Sequence, residues 1–223
     1  MTLRQEVVLF NTHAEMKLEG VTKVVSLSTF KEMLDRVMDR ESSVLDPIAL
    51  PNNTLCFGKT ATTVELNTYW PEAKRAIKFS VSGTPREFVI PFPNIVIYFK
   101  LTKQGDDTYK VHTARYMCTS KKPGQLLATP GFIREPSSKE GIFTLPVPNM
   151  YAEGRPCYGS NTMPNGFKND FRGLDWYFLF LPESVFNCDL NIPSVPNSYR
   201  HANDWITFLK DQPSFPYNIL KGT

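Results

Sequence analysis

The chain has 223 residues, 41% hydrophobic and 13% aromatic, enough to bury a sizeable core and too apolar for a disordered polypeptide. Lys and Arg outnumber Asp and Glu by only 25 to 22 and are scattered along the chain, so nucleic-acid binding has no electrostatic footprint. The first residues lack a secretory pattern and no run of about eighteen apolar residues occurs, so the expectation is a soluble cytoplasmic protein without a membrane partner.

Three zones follow one another, expected to form one unit: an extension over residues 1–53, a core over 54–190 and a proline-punctuated tail over 191–223. In the extension, Glu6–Phe10 and Val21–Leu27 read as strands. Thr29-Phe30-Lys31-Glu32 is a capping box, and Phe30, Met33, Leu34, Val37 and Met38 form an apolar stripe, predicting a helix over 29–40. That stripe serves either packing or partner docking.

The core opens with strand signals at Thr54–Phe57, Thr62–Leu66, Ala76–Val81, Phe88–Phe99 and Tyr109–Met117, separated by Gly- and Pro-containing turns, and reads as an antiparallel meander. Pro91 and Pro93 interrupt the longest apolar run and belong at a strand end or bulge, since proline cannot donate to a ladder. Residues 119–140, rich in Lys, Ser, Pro and Gly, read as a long exposed loop. Beyond it, Leu174, Tyr177, Phe178 and Leu181 share a helical face, with Pro182 expected to end the helix. A further short helix is expected over Asn203–Asp211. Strands followed by helices predict an α+β fold.

Cys56, Cys118, Cys157 and Cys188 show no C-x-x-C and no Cys/His spacing suited to zinc, so no metal or cofactor is expected and four free thiols are the default. Three of them sit in apolar or strand-like sequence and read as small buried hydrophobes. Cys157 differs. Asn149 lies eight residues before it, and a chain reversal at Ala152-Glu153-Gly154, with Gly154 at positive φ, brings the two residues opposite one another. An amide beside a nucleophilic sulfur can stabilise the oxyanion formed when an acyl group is attacked. Alternatively, Asn149 hydrogen-bonds the turn backbone, as Asn often does. Pro148 and Pro156 stiffen the two arms, and Gly159 permits close approach. Arg155, two residues before the thiol, is a candidate cation favouring thiolate.

Pro148-Asn149 followed by Gly154 and Cys157 resembles the active-site segment of ubiquitin-conjugating enzymes, in which a His-Pro-Asn tripeptide precedes the catalytic cysteine. Val147 occupies the His position, ten residues before Cys157. Together with Ile90-Pro91-Phe92-Pro93, Phe143-Thr144-Leu145-Pro146, Cys157-Tyr158-Gly159 and the stretch from Trp176 to Phe186, the pattern is similar to the prokaryotic ubiquitin-conjugating-like family D, also called PRTRC system protein B. The resemblance covers about residues 75–190, and absence of the His is typical of that subgroup.

The resemblance implies a curved antiparallel sheet of about four core strands packed against helices, with the cysteine in an irregular segment after the sheet. It also implies transthiolation. Cys157 would accept a ubiquitin-like protein as a thioester from a ThiF-type activating enzyme and pass it to an amine of a target protein, with Asn149 donating to the oxyanion. Exchange between thioesters is nearly balanced, so access and positioning matter more than a strongly lowered pKa. Glu153, Asp170 and Asp175 are the carboxylates nearest in sequence, each most simply a solvated or helix-start residue. Two other classes remain open: a catalytically silent scaffold of the same fold, and a cysteine hydrolase pairing Cys157 with His112 or His201.

Overall fold

The computed structural model describes residues 5–9, 13–18, 21–26, 31, 48–81, 84–105, 107–128, 131–159, 161–183, 185–186 and 191–222. Strands β1 (Gln5–Leu9), β2 (His13–Leu18) and β3 (Val21–Ser26) form an antiparallel meander. The expected helix over 29–40 lies outside the described residues except for Lys31.

The next six strands are β4 (Thr54–Lys59), β5 (Thr63–Trp70), β6 (Ala73–Val81), β7 (Thr84–Phe92), β8 (Asn94–Lys103) and β9 (Tyr109–Thr119). They do not form the single meander expected from sequence. A five-stranded antiparallel sheet runs β10-β9-β8-β5-β4, where β10 is Ile142–Thr144. The β6–β7 hairpin instead joins β11 (Val185–Phe186), which runs parallel to β6, in a second sheet ordered β11-β6-β7. Two prolines explain the split. Trp70 pairs with Ile95 on one side of the break and Ala73 with Phe92 on the other, so Pro71, facing Asn94, and Pro93, facing Glu72, interrupt the two strands of one long hairpin at adjacent steps of its register. Without an N–H neither proline carries the ladder across. Asn94 fixes this corner: its side chain donates to the Thr119 carbonyl at 3.0 Å and accepts from the Glu72 amide at 2.9 Å.

Both faces of the larger sheet are covered, which is why β8 reads as a continuous apolar run rather than an alternation. Ile95, Ile97, Phe99 and Leu101 face the main core with Val64, Leu66, Tyr116 and Cys118. Helix α2 (Trp176–Glu183), reached through a 3₁₀ turn at Arg172–Asp175, and α3 (Ala202–Lys210) close that core with Tyr177, Phe178, Leu181, Trp205 and Leu209. Pro182 lies within the last turn of α2 and does not end it, since the helix runs one residue further.

Val96, Tyr98 and Met117 face the other way, onto Leu126 and Ile133. The segment 119–140 is therefore not wholly an exposed loop. It carries α1 (Pro123–Leu127) and a 3₁₀ turn at Ser138–Glu140. The fully buried Asn67 holds it, donating to the Ile133 carbonyl at 2.9 Å and accepting from the Ile133 amide at 3.1 Å, as a neighbouring strand would. The α+β class stands, with a five-stranded antiparallel sheet and two three-stranded sheets where one sheet of about four strands was expected. No helix among the described residues is long and apolar enough to cross a membrane.

Candidate active site

Leaving β10, the chain turns over the edge of β9 and doubles back. Leu145 donates to the Tyr116 carbonyl at 3.1 Å, extending the strand pairing by one step. A turn then closes over Tyr151–Gly154, with the Gly154 amide on the Tyr151 carbonyl at 2.9 Å and Gly154 at φ 82°. The returning arm pairs with the outgoing one: Tyr151 N–H reaches the Arg155 carbonyl at 2.9 Å, Met150 bridges Pro156, and Cys157 N–H reaches the Asn149 carbonyl at 2.7 Å. The structure thus brings Asn149 and Cys157 face to face across a short hairpin.

Three bonds from distant elements hold this hairpin. Tyr116 N–H donates to the Gly154 carbonyl at 2.7 Å. The Thr144 hydroxyl donates to the Ala152 carbonyl at 2.6 Å, and the Trp205 indole N–H donates to the Pro146 carbonyl at 2.7 Å. Gly154 packs so closely on β9 that a Cβ there would sit 2.9 Å from the Tyr116 carbonyl oxygen. Thr144 and Trp205 carry no short-range signal of this role, because their partners are set by the folded register and not by neighbouring sequence.

Cys157 is exposed, whereas Cys56 and Cys118 are buried; Cys188 lies outside the described residues. Burial pushes the Cys56 thiol up to about 12 and raises that of Cys118 as well, because a thiolate would be poorly solvated in either place. Reactive thiol chemistry among these three therefore belongs to Cys157.

Asn149 adopts φ 59°, a left-handed conformation that Asn tolerates better than most residues. Its Oδ1 is buried without a partner, and no side-chain hydrogen bond ties it to the turn backbone. It shapes the turn through its backbone, leaving the side chain uncommitted. Pro148 and Pro156 are buried in the two arms, and Gly159 is exposed at φ 57° with open space where a side chain would stand. Val147 is buried in the main core.

Arg155 is drawn to its own turn. Its Nε lies 3.3 Å from a Glu153 carboxylate oxygen, and its guanidinium stacks 4.7 Å from the Tyr151 ring centroid. The cation expected beside the thiol is thus shared with two other groups. Tyr158, next to Cys157, fastens the following loop by edge-on contacts with Tyr177 at 6.2 Å and Phe180 at 5.6 Å. Its hydroxyl faces that of Tyr116, but Tyr116 donates to the Tyr177 carbonyl at 2.6 Å, and Tyr158 is left buried without a well-formed bond.

The other titratable candidates separate cleanly. Arg172 pairs with Asp170 at 2.5 Å on an exposed surface and holds its carboxyl down to about 2. Asp175 keeps a buried, unpartnered Oδ1, and burial raises its pKa. His112 is exposed on β9, and His201 accepts from Arg200 Nε at 3.3 Å at the start of α3. Neither histidine bonds to Cys157, and no cluster of three metal-ligating side chains occurs among the described residues. Compared with family models, curated proteins and solved structures, the chain finds no match.

Proposed function

We propose that the protein is a ubiquitin-conjugating-like carrier, working in the cytoplasm on a ubiquitin-conjugating-enzyme-like core. In this reading Cys157 attacks the thioester joining a ubiquitin-like protein to a ThiF-type activating enzyme. The new C–S bond forms first, giving a tetrahedral oxyanion whose collapse breaks the old C–S bond and expels the activating enzyme as thiolate; a target amine later adds in the same way, expels Cys157 as thiolate, gives up a proton to solvent and is left as an amide. Both transfers pass through an oxyanion, and in this reading Asn149 donates its side-chain amide to it, a role worth about 10²–10³ in rate.

The observation that carries the proposal is the 2.7 Å bond from the Cys157 amide to the Asn149 carbonyl, across a hairpin whose sulfur alone among the described thiols is exposed. A site held this firmly suits thioester exchange, which needs positioning more than driving force. The His-independent arrangement also favours a carrier over a hydrolase, since neither His112 nor His201 contacts the sulfur.

The test is incubation with activating enzyme, ATP and modifier, followed by non-reducing electrophoresis. A reductant-sensitive adduct is expected, absent from Cys157→Ala and replaced at most by a reductant-resistant ester in Cys157→Ser. Retained modifier binding with no adduct would instead indicate the silent scaffold.

A further inference from the structure

The edge of β9 is paired at both ends and unpaired in the middle, where Ala114 is 7% exposed and lines a groove. At one end Tyr116 bonds outward to Gly154 and Leu145 through its N–H and carbonyl. At the other, Tyr109 exchanges two bonds with Phe167, at 2.5 and 2.9 Å, and Val111 N–H reaches Asn165 Oδ1 at 3.2 Å. Backbone direction along a strand repeats every second residue, so the outward bonds of Tyr116 fix Ala114 as outward-facing too. The pairings Ile97 with Tyr116 and Phe99 with Ala114 are in unbroken register, which confirms that parity. Nothing among the described residues pairs with the Ala114 N–H or carbonyl on that side.

That gap is not bare surface. It opens into a groove of about 410 Å³ whose walls include His112 and Arg115 from β9, Arg155 and Tyr158 from either side of Cys157, and Tyr177 from α2. The loop carrying the thiol swings away from β9 after Gly154 and returns at Asn165, and this detour creates the groove.

We propose that the unpaired edge at Ala114 binds an extended peptide segment by strand addition, in the groove that Arg155 and Tyr158, the residues around Cys157, help to line. The recognised chemistry is the peptide backbone itself: one carbonyl to accept from Ala114 N–H and one N–H to donate to its carbonyl, the pair of bonds by which sheet edges take up extended peptides. The edge already accepts such partners from this chain on both sides, at Tyr116 and at Tyr109, so an added strand continues an existing pattern. The polypeptide that meets the thiol is on this view drawn out, not presented as a folded surface.

The experiment needs no thioester chemistry, so it stands or falls apart from the carrier reading. A peptide of four alternating Thr and Val residues ending in cysteamine is joined to Cys157 by a disulfide, in a Cys188→Ser background. Its tethering equilibrium and the hydrogen exchange of the Ala114 amide are compared with those of cysteamine alone. Ala114 exchange slows on tethering, and N-methylating the peptide amides removes the protection and weakens tethering by about fivefold, the worth of one hydrogen bond. Ala114→Pro removes the unused donor without breaking a bond to β8 and abolishes the tethering advantage, as proline is tolerated where an edge N–H faces out. If that variant does not fold, the exchange measurement decides alone. Unchanged Ala114 exchange overturns the proposal. So does equal tethering of the N-methylated peptide, or concentration-dependent protection of the free protein, which would assign the edge to self-association.

Discussion

Replacing Gly154 with Ala tests whether the thiol hairpin is pinned to β9 by close approach. Two costs act together. An L-residue at φ 82° is strained by about 1–2 kcal/mol. The added Cβ would also lie 2.9 Å from the Tyr116 carbonyl oxygen, a backbone atom that cannot rotate away. Relieving that clash lengthens the 2.7 Å bond from Tyr116 N–H to Gly154, and an unsatisfied buried amide costs about 1–3 kcal/mol. Ala restricts the unfolded chain and returns about 0.4–1 kcal/mol. The net expectation is a loss of about 2–3 kcal/mol. Gly159→Ala is the matched control: its φ is 57° but nothing stands within 4 Å of the new Cβ, so only strain applies and about 1 kcal/mol or less should be lost. Urea denaturation of both variants measures the difference, and iodoacetamide modification of Cys157 should accelerate in Gly154→Ala as the hairpin loosens. Equal destabilisation of the two variants would refute the close-approach argument and leave only φ strain.

Asn149→Gly relieves the left-handed backbone at 59° while Asn149→Ala keeps it strained, so Gly should fold at least as stably as Ala. If the side chain donates to the oxyanion, both nevertheless lose about 10²–10³ in transfer rate; a rate that tracks stability instead would assign Asn149 to shaping the turn. Trp205→Phe removes the indole donor from the Pro146 carbonyl and should cost about 1–3 kcal/mol in chemical denaturation. Asp175 has a folded pKa raised by burial, so its favourable contribution is present below the unfolded value and is lost as pH rises through the folded value. Asp175→Asn should therefore raise the thermal midpoint at pH 7, with the gap closing as pH falls below the carboxylate range; a constant gap across pH would show that ionisation is not the cause.

Local chemistry made some features readable and long-range pairing hid others. Gly154 at positive φ follows from the turn sequence alone, and so does the alignment of Asn149 with Cys157. Pro91 and Pro93 announced an interruption, but the sequence does not say that Pro71 falls one register step from Pro93, so that both strands break together where β6 and β7 leave for another sheet. In the segment 119–140 the polar composition concealed Leu126 and Ile133, and Ile133 is held by Asn67 from 66 residues away. Arg155 shows the limit of alternation arguments. Spacing permits it to face the sulfur, yet Tyr151 and Glu153 on the same turn offer a stacking face and a counter-charge.

Val147 shows why the hairpin does not call for a histidine at that position. The residue is 4% exposed and belongs to the main core together with Leu145 and Met150. An imidazole buried there would need a partner for each ring nitrogen, and each one left unpaired costs about 1–3 kcal/mol. The hairpin is held by other groups: by Trp205 at the Pro146 carbonyl, by Thr144 at the Ala152 carbonyl, and by the Tyr116 amide at Gly154. These three bonds come from three different elements and fix the hairpin just before its outgoing arm, at Pro146, and at two points in its turn, Ala152 and Gly154. A turn held at three such points needs apolar volume at position 147, and valine fills it.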